Sequence, residues 1–149
     1  MKLVIQRVTE ASVEIEKEIV GRVGKGFLVL FGACGDDTTE TVDKVLKKMT
    51  GLRIFEDEQG KTNLALSDVG GAILLVSQFT LYADCKKGNR PSFFKSGDPA
   101  HAKELYEYAI TQLRDVYHIH TETGEFGADM KVSLVNDGPF TIVLDSSEL

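Results

Sequence analysis

The sequence predicts an α+β domain with mainly antiparallel strands, and three observations carry that expectation. Strand-like segments gather toward both ends of the chain, two amphipathic helical patterns stand alone between them, and the regular βαβ alternation of a doubly wound sheet is absent. A chain of 149 residues, 42% of them apolar, is the size of one domain, 1–149, with a core of its own.

Leu3–Val8 and Ala11–Glu16 mix apolar and polar residues at short spacing, and Phe27–Phe31 is a continuous apolar run suited to a central strand. Gly21, Gly24 and Gly26 supply hairpin turns. They lack the Gly-Lys-Ser/Thr ending and following helix of a phosphate loop. From Asp37 the period becomes helical, with Val42, Val45, Leu46 and Met49 on one face, a capping-box-like start at Asp37 and Glu40, and a stop at Gly51. Ile73–Val76 reads as a strand covered on both faces, continued by Ser77–Thr80. A second helix starts at Asp98 and Pro99, packs Ala102, Leu105, Ala109 and Leu113, and is flanked by Tyr106 and Tyr108. Met130–Val135 and Phe140–Leu144 return to strands, joined by an Asn136-Asp137-Gly138-Pro139 turn.

A mean hydropathy of −0.08 and the lack of a long apolar run argue against a membrane span. The N-terminus reads as a strand rather than a signal peptide. Cys34 and Cys85 read as free thiols of a reducing cytoplasm. A net charge of −6 and a pI near 5.1 oppose a protein that coats nucleic acid. Lys86, Lys87 and Arg90 form a local exception, able to meet a few phosphates. His118 and His120 would share a face if their segment were a strand, but no further ligand has metal-binding spacing, so no metal is expected.

Two short blocks carry the candidate chemistry. In Ser77-Gln78-Phe79-Thr80-Leu81 a two-residue period puts Gln78 and Thr80 on one side and Ser77 and Phe79 on the other. An amide and a hydroxyl at the end of a buried strand need partners, in a neighbouring loop or in a ligand. In Asn136-Asp137-Gly138-Pro139-Phe140-Thr141 a hairpin turn carries a Gly-Pro bond, for which the cis form is accessible.

Together with Val4–Val8, Gly24–Phe27, Leu52–Phe55, Lys87–Phe93 and Phe126–Met130, these blocks resemble the pattern of the D-aminoacyl-tRNA deacylases over nearly the whole chain. The resemblance implies a curved, barrel-like sheet with two to three packed helices, working without cofactor as a cytoplasmic homodimer whose active site lies at the subunit interface. It implies aminoacyl-tRNA as substrate, with the 3′ terminal adenosine and its ester in a pocket lined by Ser77, Gln78, Phe79 and Thr80. Thr80 and Gln78 are then the catalytic candidates. Gly138 and Pro139 would be a cis motif that one subunit lends to the other, with carbonyls facing the substrate's chiral centre. Arg7, Ala102, Phe126 and Met130 are further candidates for substrate contact, although Arg7 equally suits an anchor for the Gln78 region or a phosphate, or a solvated position, and Phe126 and Met130 also suit plain core. Such a filter excludes L-residues by their Cβ rather than attracting D-residues, so glycine, as on glycyl-tRNA(Ala), would pass. Phe140 and Cys85 depart from the family's usual Val and polar residue.

Ester hydrolysis needs an aligned water and a stabilised oxyanion more than a strong nucleophile. The chain has no Gly-x-Ser-x-Gly elbow, and Thr80 has no base beside it, which favours an orienting role. Two other readings stay open: a non-catalytic RNA-binding accessory protein using the basic cluster with Phe79 and Tyr82, and a hydrolase of free D-amino acid esters.

Overall fold

The computed structural model describes residues 1–149. The strands are β1 (Lys2–Ile15), β2 (Glu18–Val23) and β3 (Gly26–Gly32), followed by α1 (Thr39–Thr50), a small β4 (Phe55–Glu56) and β5 (Thr62–Leu64) pair, and β6 (Ala72–Ser77). Then come α2 (Pro99–Thr111), β7 (Thr121–Thr123) and β8 (Lys131–Asp145). The main sheet runs β2-β1-β3-β6-β7, with β8 also on β1. Its pairings to β1 are antiparallel, whereas β3–β6 and β6–β7 are parallel. The first half of β1 pairs with β3 and the second with β2, and β2 packs across toward β6 and β7, so the sheet curls into a nearly closed barrel.

The apolar run of β3 is explained by burial on both faces. Phe27, Val29 and Phe31 join Ile73 and Leu75 under the helices, while Leu28, Leu74 and Val76 join Val8, Val13 and Val23 inside the barrel. Helix α1 contributes Val42, Val45, Leu46 and Met49 to the first core, as the period predicts. Its cap differs: Thr38 is the N-cap, in a reciprocal box with Thr41. Asp37 is taken elsewhere, since its carboxylate accepts from the N-terminal ammonium at 2.9 Å and from the Cys34 N–H at 2.8 Å. Helix α2 is capped by Asp98 and runs into a π-helical turn, Gln112–Val116, that buries Leu113. Tyr106, expected beside the stripe, is buried, and its hydroxyl donates to the Leu75 carbonyl at 2.6 Å.

Two expectations give way near the blocks. The strand of the first block stops at Ser77, and Phe79–Tyr82 forms a 3₁₀ turn, so the two-residue alternation does not reach Thr80. The second block is no hairpin turn. β8 runs antiparallel along β1 from Lys131 to Asp145, and its register breaks between Val8↔Asn136 and Gln6↔Thr141. Asp137, Gly138, Pro139 and Phe140 therefore stand opposite the single residue Arg7, as an enlarged bulge in one continuous strand.

Candidate functional site

A cavity of about 260 Å³ opens at the C-terminal end of β6. Ser77, Gln78, Phe79, Ala102, Phe126 and Met130 line it, six of the residues singled out from the sequence. Phe31, Ala33, Val76, Gly127, Ala128, Asp129 and Val132 complete the wall. Phe31 was hidden from sequence reasoning because only the parallel register Phe31↔Ser77 brings β3 there. Gly127–Asp129 lie within the Phe126–Met130 block, which could have flagged them. Beneath the cavity, Tyr106 packs its ring against Phe31 and Phe126, at centroid distances of 5.7 and 6.0 Å. Burial raises the Tyr106 phenol above its ordinary value, so it serves as a fixed donor.

The 3₁₀ turn sets the polar pair at the rim. The Gln78 N–H donates to the Phe31 carbonyl at 2.8 Å, and the Leu81 N–H closes the turn on the Gln78 carbonyl at 3.3 Å. The Gln78 amide nitrogen donates to Thr80 Oγ1 at 2.5 Å. This is the one hydrogen bond the Thr80 side chain makes, and no carboxylate or imidazole is placed to take its proton. Gly32 makes room for the turn: a Cβ there would lie 3.0 Å from Leu81 Cβ and 3.1 Å from the Gln78 carbonyl oxygen. At the end of the turn, burial and then the neighbouring Cys34 and Asp37 raise the Tyr82 phenol, which is no base either.

Arg7 organises the second block and does not contact the first. Its guanidinium is buried, donates from Nε to the Asp137 carbonyl at 2.9 Å and from Nη1 to the Ile54 carbonyl at 2.6 Å, and lies 4.7 Å from the Phe140 ring centre. Asn136 closes the bulge, accepting from the Phe140 N–H at 2.6 Å and donating to Thr141 Oγ1 at 3.0 Å. Within this frame the Gly138–Pro139 peptide is cis, and both residues are exposed. Gly138 has φ +147°, and a Cβ there would lie 2.8 Å from the Phe140 nitrogen.

Within one chain the two blocks stay apart. Ser77 pairs with Phe31 while Arg7 pairs with Phe27, roughly 13 Å away along the strands, and the three spacings from β6 to β8 add about 14 Å. The cavity therefore gathers Ser77, Gln78, Phe79, Ala102, Phe126 and Met130; Thr80 lies just outside its lining, held to it by the Gln78 hydrogen bond, and Arg7, Gly138 and Pro139 form a second cluster. No three His, Cys, Asp or Glu side chains converge as metal ligands, and His120 instead lies 3.9 Å from Glu122.

A family model described as D-Tyr-tRNA(Tyr) deacylase matches residues 4–145. A D-aminoacyl-tRNA deacylase of Desulfitobacterium hafniense is 53% identical over 148 residues, covering 99% of each chain. One from Lactobacillus acidophilus is 58% identical over 146 residues, covering 97% of this chain and 99% of that one. Among solved structures, a c-Myc DNA unwinding element binding protein matches with a TM-score of 0.92 at 41% identity, over 97% of this chain and 98% of that one. A probable eukaryotic D-amino acid tRNA deacylase shares the fold with a TM-score of 0.80 at 18% identity, over 96% of this chain and 97% of that one.

Proposed function

This chain belongs to the D-Tyr-tRNA(Tyr) deacylase family, and we infer that residues 1–149 hydrolyse the ester joining a D-amino acid to the 3′ end of tRNA. Free D-amino acid and tRNA are released, and L-aminoacyl-tRNA is left intact. The observation that carries this reading is the cavity at the end of β6, which holds the polar pair Gln78 and Thr80 at its rim without a nucleophile–base couple. Such a site suits an ester already activated for attack, and the reading gives no role to a cofactor.

The terminal adenosine and its ester occupy the cavity between Phe79, Ala102, Phe126 and Met130. With its oxygen engaged by the Gln78 amide, Thr80 keeps its own O–H to donate, which orients the ester or the attacking water rather than attacking itself. The first N–H groups of a 3₁₀ turn have no acceptor within it, so those of Phe79 and Thr80 are available to the developing oxyanion. Water adds to the ester carbon, and the tetrahedral intermediate expels the ribose oxygen, which leaves with a proton.

Chirality is read by the second block, lent by a second copy of the chain. Its separation from the cavity supports this, as does its exposed outer side, backed on the inner side by Arg7. A D-residue fits its amino group and Cα hydrogen against the Gly138 and Pro139 carbonyls, an L-residue meets the backbone with its Cβ, and a glycyl ester passes. A homodimer with interfacial sites follows, acting in the cytoplasm where aminoacyl-tRNA is used. No helix is long and apolar enough to cross a membrane.

The test is to follow ester loss from tRNA charged with D- or L-tyrosine. Rapid release of D-tyrosine with the L-ester intact is expected. Survival of both esters overturns the reading.

A further inference from the structure

Between Thr80 and Lys103 the chain carries Lys86, Lys87, Arg90 and Lys95 against Asp84 and Asp98, a local charge of +2 in a molecule of −6. The remaining residues therefore sum to −8. The segment folds as a lobe beside the cavity. Asp84 and Ser92 exchange backbone hydrogen bonds at 2.7 and 2.9 Å and close its base, where Lys95 pairs with Asp84 at 3.5 Å. Phe93 then seats its ring edge-on against Phe79 of the cavity wall, with centroids 5.0 Å apart.

Lys86, Lys87 and Arg90 stand exposed on this lobe, and none forms an ion pair with the protein. Phe94 is 93% exposed, the most exposed of the large apolar side chains. Three unpaired cations and a bare aromatic ring, on a lobe whose Phe93 is seated against the cavity wall of an otherwise acidic protein, match the phosphates and base faces of a single-stranded nucleic acid. The other basic surface has an explanation within the fold: Lys47 and Lys48 lie in the last turn of α1, where they offset the helix dipole.

We propose that the lobe Asp84–Lys95 binds the single-stranded 3′ tail of tRNA just upstream of the terminal adenosine. Lys86, Lys87 and Arg90 take its phosphates, and Phe94 takes the face of an unstacked base. This rests on the deacylase reading, and it assigns recognition of RNA to a surface separate from the chemistry.

The experiment compares wild type with K86A/K87A/R90A, with F94A and with K47A/K48A, on D-tyrosyl-tRNA, on D-tyrosyl-adenosine, and in binding of uncharged tRNA across a salt series. For the triple variant, kcat/KM on tRNA falls roughly tenfold at low salt, and its dependence on log[salt] becomes shallower by about 2, at ~0.7 per phosphate of a single strand. Hydrolysis of the adenosine ester stays unchanged. F94A weakens use of tRNA about fivefold with the salt slope intact, and K47A/K48A changes neither readout. Equal losses on both esters, an unaltered slope in the triple variant, or a slope that moves only with K47A/K48A overturns the assignment. If wild type cleaves neither ester yet binds tRNA through the lobe, the deacylase reading falls and the RNA surface stands.

Discussion

Gln78 and Thr80 sit at the rim of a concavity enclosed by their own chain, whereas Gly138 and Pro139 stand on an exposed bulge that their own chain braces from behind. The first block is held by short-range bonds within a 3₁₀ turn, by Ser77 and Gln78 against β3, and by the Phe93 ring against Phe79. The second is held by a buried arginine on the adjacent strand and by Asn136 across the bulge. Such a firmly supported, exposed segment is what the proposed function requires of a part lent to a second copy. On that proposal the first block is the place of reaction and the second a rigid wall against which the substrate is tested.

The strongest contrast is reached by removing the brace. Arg7→Ala leaves the Asp137 and Ile54 carbonyls without their donor and should cost about 3 kcal/mol of stability in urea unfolding. Arg7→Lys should not restore it, because an ammonium cannot reproduce the guanidinium fork. A loss below about 0.5 kcal/mol, the level of a surface change, would mean that the bulge does not depend on Arg7.

Gly138→Ala acts on the wall itself. With φ at +147° and the Phe140 nitrogen 2.8 Å from the new Cβ, the bulge must shift. A displacement near 1 Å should lower D-ester hydrolysis about a hundredfold, and the strained backbone should lower stability by about 1–3 kcal/mol while the fold is kept. Wild-type kinetics would remove Gly138 from the site.

Thr80→Ala should slow hydrolysis only about tenfold, the worth of one orienting hydrogen bond. Complete loss, with an acyl-Thr80 species trapped in wild type, would make Thr80 a nucleophile. Gly32→Ala should have the smallest effect, about threefold on kcat, as Leu81 and the Gln78 turn give way by a few tenths of an ångström.

How legible each region was follows from the range of the interactions that shape it. Strand β3, most of β6 and both helices are written in local periodicity, and the α1 face Val42, Val45, Leu46 and Met49 is the one the spacing predicts, whereas the segments Leu3–Val8 and Ala11–Glu16 prove to be one continuous strand, β1. Most of the cavity was also within reach, because the residues recognised by resemblance converge there. What escaped depends on partners distant in sequence. Asn136–Pro139 has every mark of a turn, and only pairing with β1 makes β8 one bulged strand. Asp37 looks like a cap until the N-terminal ammonium claims it. The end of β6 at Ser77 and the parallel approach of Phe31 follow from the crossover to β3, to which no local pattern points.

The central claim is that the two blocks work together across two copies of the chain, and subunit mixing tests it directly. Q78A/T80A subunits and G138A subunits are each prepared, shown to be folded and impaired, then unfolded together and refolded as a mixture. In a twofold dimer each mixed pair holds one site with both blocks intact, so activity should recover to roughly a quarter of wild type. A mixture no more active than the average of its parents would place both blocks of each working site in a single chain.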